Sequence, residues 1–125
     1  MKILGLIALL SVVFWIRIAL ASDVPREQAI RCVMGEARGE PYKGQVAVAE
    51  VLRRRGSTIG MYGCSYTDWT EKEWSKAELA WEESASTNYS KEATNFESTD
   101  FKKPYWSKDM DLVVTIGKHQ FFRKR

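Results

Sequence analysis

The sequence predicts one small, mainly helical domain of the α+β class, with a helical core and a minor β element. Three observations carry this. Helix-start signals followed by apolar residues at helical spacing occur three times before residue 90. Glycine, proline and serine punctuation cuts the remainder into short segments. A chain of 125 residues has room for a single core. Hydrophobic residues at 45%, charged residues at 28% and aromatics at 12% place it among globular chains, since a disordered one would be poorer in aromatics.

The first 21 residues form a segment of their own. Lys2 supplies a positive start, residues 3–16 are almost wholly apolar, and Ala19-Leu20-Ala21 precedes Ser22. That is the layout of a secretory signal peptide, with small residues at the cleavage point. The apolar run is short for a bilayer span, which needs about 20 residues. The competing reading is an uncleaved signal anchor in which Arg17 snorkels to the interface. Both put residues 22–125 outside the cytoplasm as the working domain, with membrane contact only through residues 1–21 if these stay attached.

The domain then reads in order. Asp23-Val24-Pro25 opens a first helix, a capping residue followed by proline near the first helical position, with Ala29, Cys32 and Val33 at helical spacing. Gly35 and Gly39 bracket Glu36-Ala37-Arg38, so this helix is expected to end or bend there. Pro41 starts a second helix through Val46, Ala47, Ala49, Val51 and Leu52. It closes on Arg53-Arg54-Arg55 and Gly56, cations in the last turn and glycine just beyond. Residues 56–69 read as loop. Thr70-Glu71-Lys72-Glu73 is a capping box for a third helix with Trp74, Ala77 and Trp81 on one face. Residues 84–90 break it. Residues 93–96 and 101–106 look extended or irregular around Pro104, and Ser107 is positioned to cap a last short helix through Leu112 and Val113 before Gly117. Residues 116–122 end the domain. No internal repeat is present.

Without residues 1–21 the chain carries 17 basic and 16 acidic residues. A balance so near neutral argues against nucleic acid as a partner. The tail is locally basic through Lys118, His119, Arg123, Lys124 and Arg125. It reads as a solvated end, or as attraction to an anionic envelope. Cys32 and Cys64 are the two cysteines. Outside the cytoplasm they suggest one disulfide, worth roughly 3–4 kcal/mol in the loop-entropy model. The alternative is a buried free Cys32 and an incidental Cys64. No CxxC or Cys/His cluster points to a metal, and no cofactor motif occurs.

The densest signal is residues 35–49, Gly35-Glu36-Ala37-Arg38-Gly39-Glu40-Pro41-Tyr42-Lys43-Gly44-Gln45-Val46-Ala47-Val48-Ala49. Glu36 stands at a helix end between two glycines, where backbone can approach a substrate closely. The negative end of the helix dipole favours its neutral form, the direction a general acid needs near neutral pH. The competing role is a structural hydrogen-bonding carboxylate. Arg38 and Glu40 are placed to pair and position the turn, and Glu40 and Glu50 are the candidates for a second carboxylate, with ion pairing to Arg38 or Arg54 as their alternative.

This block resembles the SleB/CwlJ-type cell-wall hydrolases, in whose members a "GEARGE-x-x-x-GQ-x-AVA" segment contains the catalytic Glu. Downstream, Glu92-Ala93-Thr94-Asn95-Phe96, Pro104-Tyr105-Trp106 and Ile116-Gly117-Lys118-His119-Gln120-Phe121 fall in the order of that family's "GA-T-H-F", "P-x-W" and "IG-x-H-x-F". The matches span residues 25–122. Two departures stand out, Asn95 where many members have His and Glu92 where they have Gly; residues 56–90 match poorly. The resemblance implies a lysozyme-like fold, peptidoglycan glycan strands as the partner, and no cofactor. It implies lytic transglycosylase chemistry with Glu36 as sole acid and base, a monomer being expected. Candidate substrate contacts are Arg38, Glu40, Thr94, Asn95, Tyr105, Trp106 and His119. Trp106 is the preferred sugar-stacking residue, whereas helical spacing assigns Trp74 and Trp81 to the core. Alternatives from other classes are a hydrolytic muramidase, a non-catalytic wall-binding module, and an amidase or endopeptidase, which would need zinc ligands or a Cys/His pair. Both a wall-remodelling enzyme and an endolysin fit.

Overall fold

The computed structural model describes residues 24–101 and 104–125. The expected signal segment and the Asp23 cap lie outside those residues. Three α-helices are present among the described residues: α1 (Arg26–Ala37), α2 (Tyr42–Arg55) and α3 (Glu71–Glu83). None of the described helices is long and apolar enough to cross a membrane.

Helix α2 is the centre of the domain, for every residue from Gly44 to Leu52 is buried. A helix buried on all sides must be apolar and small on all sides, and Val46, Ala47, Val48, Ala49, Val51 and Leu52 supply that surface. Helix α1 covers one flank with Ala29, Ile30, Val33, Met34 and Ala37, and α3 covers another with Ala77, Ala80 and Trp81. Alanines at these contacts let the helix axes approach closely. The predicted ends hold. Thr70 and Glu73 exchange both capping-box hydrogen bonds. Gly56 closes α2 with φ of 64° and donates its N–H to Leu52. The arginine run does more than face the helix dipole. Arg53 stacks on Trp81 at 3.7 Å and donates to the Trp81 carbonyl, Arg54 donates to the Ala93 carbonyl, and Arg55 to that of Ile59. Each one ties a later segment of the chain back onto α2.

The expected minor β element is a three-stranded sheet. Strands β1 (Asn95–Ser98), β2 (Met110–Ile116) and β3 (His119–Lys124) form an antiparallel sheet in the order β1-β3-β2. The helix expected after Ser107 is not formed. Ser107 sits inside a 3₁₀ turn (Tyr105–Asp109), and residues 110–116 are strand β2. The reason lies in Val113-Val114-Thr115-Ile116, four β-branched residues in succession, which lose rotamer freedom in a helix and pack well on a pleated surface. Gly117, at φ of 58°, then turns the chain straight into β3. Phe121 carries the sheet into the helical core, in ring contact with Phe96. Trp81 is core, as its spacing predicts, and Trp74 is half-buried against Trp69.

Glu50 does not pair with Arg54. Its carboxylate is 2% exposed and accepts four hydrogen bonds, from Thr87 Oγ1 (2.5 Å), Tyr89 N (2.9 Å), Ser90 N (2.8 Å) and Ser90 Oγ (2.7 Å). It organises the turn that leads from α3 to the sheet. In that turn Lys91 and Glu92 both adopt left-handed backbone, at φ of 55° and 65°, which costs a non-glycine residue about 1–2 kcal/mol. A glycine at 92 would take this conformation freely.

Two predictions follow from this turn. Glu50→Ala strands the buried Ser90 N–H and the part-buried Tyr89 N–H and is expected to cost about 3 kcal/mol or more in urea unfolding, while Glu50→Gln costs less. Glu92→Gly is expected to raise Tm despite losing the exposed 3.3 Å pair with Arg123, because relieved backbone strain outweighs a surface ion pair. Calorimetry showing a lower Tm would refute the second.

Candidate active site

Glu36 lies in the last turn of α1, which runs on through Gly35 and stops at Ala37. The helix thus ends within the stretch that Gly35 and Gly39 bracket, as expected, while Gly35 itself stays helical for a reason of its own. A Cβ at Gly35 would stand 1.7 Å from the Gly63 carbonyl oxygen, and a Cβ at Gly63 would stand 2.5 Å from the Gly35 carbonyl carbon. Two backbones touch here, and only glycine at both positions permits it. Gly63 belongs to a 3₁₀ turn (Tyr62–Ser65), and Cys64 beside it is disulfide-bonded to Cys32, one helical turn before Glu36. The close approach expected from these glycines is therefore made by the protein's own chain.

The contact has an electrostatic result. Gly63 N donates a 2.9 Å hydrogen bond to Glu36 Oε1. Burial of the half-exposed side chain raises the Glu36 pKa above the ordinary carboxyl value, the Gly63 N–H opposes that, and the negative charge of Glu97 adds to it. The direction matches the one expected from the helix end, but its first cause is loss of water.

Glu36 opens into a cavity of about 430 Å³ lined also by Glu40, Arg55, Tyr62, Phe96, Glu97, Lys118 and His119. Its floor is set by the β2–β3 turn. The Glu40 carboxylate accepts the Lys118 N–H with both oxygens, at 3.0 and 3.1 Å, and its side chain is 10% exposed. A Cβ at Gly117 would collide with Glu40 Oε2 at 2.2 Å. His119 Nδ1 lies 3.5 Å from Glu40 Oε1 and makes no hydrogen bond to the described residues. Burial lowers the His119 pKa, partly offset by Glu40 and Glu97, so the ring is neutral at pH 7.

Of the residues selected from sequence, Glu36, Glu40 and His119 meet in this cavity. Arg38 does not pair with Glu40; its guanidinium lies 3.9 Å above the Tyr66 ring. Thr94 Oγ1 and Asn95 Oδ1 are hydrogen-bonded to each other at 2.9 Å beside β3. Tyr105, 85% exposed, lines a separate cavity of about 530 Å³ with Leu112 and Phe122, and Trp106 packs edge-on against Phe122 at 5.2 Å. Neither Tyr105 nor Trp106 lines the cleft of Glu36. Glu97, Arg55, Tyr62 and Lys118 do line it and were missed. Glu97 directly follows the family-like Asn95-Phe96 pair, which was the available signal. No group of three or more His, Cys, Asp or Glu able to hold a metal occurs among the described residues.

The glycine contact is directly testable. Gly35→Ala and Gly63→Ala are each expected to destabilise by about 3 kcal/mol or more, through backbone overlap that side-chain motion cannot relieve. Gly39→Ala, with no atom within 4 Å of its Cβ, is the control and should be neutral or slightly stabilising in denaturant unfolding.

No family model matches the chain, and no curated protein matches it either. Among solved structures it is similar to the crystal structure of the catalytic domain of the Bacillus cereus SleB protein. The two share a TM-score of 0.58 and 24% identity over 82% of this chain and 98% of that domain. The likeness establishes that this chain has the α+β, lysozyme-like fold of the SleB catalytic domain.

Proposed function

We propose that this chain is an exported peptidoglycan-cleaving enzyme of the SleB type, acting on the bond between N-acetylmuramic acid and N-acetylglucosamine. The observation that carries the reading is Glu36: a carboxyl at the edge of a 430 Å³ cleft, held by one backbone N–H and shifted towards its protonated form, in a chain with the fold of a SleB catalytic domain. In this reading residues 22–125 are the catalytic domain, working as a monomer on glycan strands. Residues 1–21 direct export.

The chemistry is that of a lytic transglycosylase. Protonated Glu36 gives its proton to the glycosidic oxygen as the bond to the muramoyl anomeric carbon breaks, releasing the N-acetylglucosamine 4-hydroxyl. The Glu36 carboxylate then takes the proton of the muramoyl 6-hydroxyl while that oxygen bonds to the anomeric carbon. A 1,6-anhydro ring results and Glu36 is protonated again, so one carboxyl serves both steps. A raised pKa keeps the acid loaded further towards neutral pH. One observation favours a second reading, hydrolysis to a reducing end: Glu97 is a second carboxylate in the same cleft, as the two-carboxyl glycosidase scheme requires.

Glu36→Gln is expected to lower muropeptide release from purified peptidoglycan by about 10²-fold or more. Gln keeps an oxygen acceptor for Gly63 N–H and removes a charge that burial disfavours. Because the folded-state pKa of Glu36 is raised, the parent loses stability as pH rises through it. The variant should therefore match the parent in Tm at acid pH and equal or exceed it at pH 7. Mass spectrometry of the parent's products should find anhydromuramic ends; hydrated reducing ends would convert the reading to a muramidase, and a fully active Gln variant would remove Glu36 from the mechanism.

A further inference from the structure

Glu97 was selected by nothing in the sequence, yet among the described residues it is the cleft carboxylate that is hydrogen-bonded to no other element. Glu40 is committed to Lys118 N–H and the β2–β3 turn. Among the described residues Glu97 accepts only the N–H of the next residue, Ser98, at 2.9 Å. It stands on β1, an edge strand, half-buried and open to the cavity. Its backbone register opposite Gln120 is fixed by antiparallel pairing to β3, whose neighbouring residue His119 forms the cleft floor.

Two carboxyls thus line one cavity from separate elements, Glu36 from the end of α1 and Glu97 from β1. Their surroundings differ in a directed way. Glu36 is desolvated, which favours the neutral acid; Glu97 is half-buried and accepts the N–H of its own neighbour. Two carboxyls brought to one cavity from separate elements can divide the acid and electrostatic roles of glycoside cleavage between them. We propose that Glu97 is a second catalytic carboxylate, lining the same cleft as Glu36 and stabilising the positive charge that develops at the anomeric carbon of the sugar bound there. The step adds no bond to Glu97, so it holds whether the muramoyl 6-hydroxyl or water is the acceptor. It rests on the reading of this cleft as a glycoside-cleaving site.

The other charged and titratable groups facing Glu36 are Glu40, Lys118, His119, Arg55 and Tyr62. His119 is neutral at pH 7, and the Glu40 carboxylate is held by Lys118 N–H. Glu97 is therefore the anion whose removal Glu36 feels most directly.

The test is Glu97→Gln in the full chain, with purified peptidoglycan as substrate. We expect kcat to fall by about tenfold or more with little change in KM, as for loss of a group that acts on developing charge. The alkaline limb of the rate profile should move to lower pH, because Glu36 loses a like-charged neighbour. Carbon-13 NMR titration of the Glu36 carboxyl should show the same acid-ward shift without reference to any activity. A parental rate with an unmoved limb overturns the proposal. So does a slow variant whose Glu36 titration is unchanged, since that marks a structural loss. Glu97→Asp, which keeps the charge, should retain the Glu36 titration and recover part of the rate; it carries the test if the Gln variant does not fold. If the parent itself cleaves no glycan, the reading of the cleft fails, while the titration still decides whether Glu97 acts on Glu36.

Discussion

The site depends on one contact, the meeting of the Gly35 and Gly63 backbones. Helix α1 can present Glu36 to a cleft only if something forms the wall opposite its last turn. The segment between α2 and α3 has little regular structure with which to do this. Ordering such a loop opposes chain entropy at each residue. The Cys32–Cys64 bond offsets part of that by restricting the unfolded chain, and it acts one residue from Gly63. With the turn pinned, Gly63 N–H reaches Glu36 at 2.9 Å. The disulfide, the two glycines and the acid form a single unit: removing a glycine's freedom moves the turn, and moving the turn strips the acid of its hydrogen bond.

Four glutamates show how environment sorts one residue type into different work. Glu50 is buried and saturated with four donors, so its oxygens are committed to holding the turn. Glu40 is nearly as buried and spends both oxygens on Lys118 N–H, locking the turn that carries His119 into the cleft. Glu36 is desolvated with one donor, the arrangement that leaves a proton on the acid. Glu97 has one local donor and access to water. The count of donors against the loss of water separates Glu40 and Glu50, which hold turns in place, from Glu36 and Glu97, which stay open to the cleft.

The helical half of this arrangement was legible in the sequence, because its signals are local. The Thr70–Glu73 capping box, Pro25 and Pro41 before α1 and α2, and Gly56 after α2 each act within one helical turn, and each is found in place. The sheet was less legible. Ser107 resembles a helix cap, while the β-branched run of β2 is decided by pairing with β3, which a local reading does not contain. The disulfide was readable as an expectation and is present, and so was Glu36 as a carboxyl at a helix end. What the residues around Glu36 do was not. Arg38 and Glu40, two apart in sequence, turn to Tyr66 and to Lys118, and Glu97 reaches the cleft from 61 positions away. These depend on where β1 and the β2–β3 turn dock, and that is set by Phe96 and Phe121 packing under the helices.

The same distribution of contacts accounts for a fold shared with the SleB catalytic domain at 24% identity. Nearly every bond that shapes the cleft has a backbone N–H on one side: Gly63 to Glu36, Lys118 to Glu40, Ser98 to Glu97. A backbone donor survives almost any substitution of its own side chain, provided the φ angle and the space remain. The demands on sequence therefore concentrate in a few positions: the acceptor carboxylates, Gly35 and Gly63 where two chains touch, and Gly117 where a Cβ would strike Glu40. Elsewhere the requirement is for apolar volume in α1, α2 and α3, which many side-chain combinations satisfy. A site built this way tolerates wide drift in the rest of the chain, and it confines the loss of function to those positions whose geometry no other residue can reproduce.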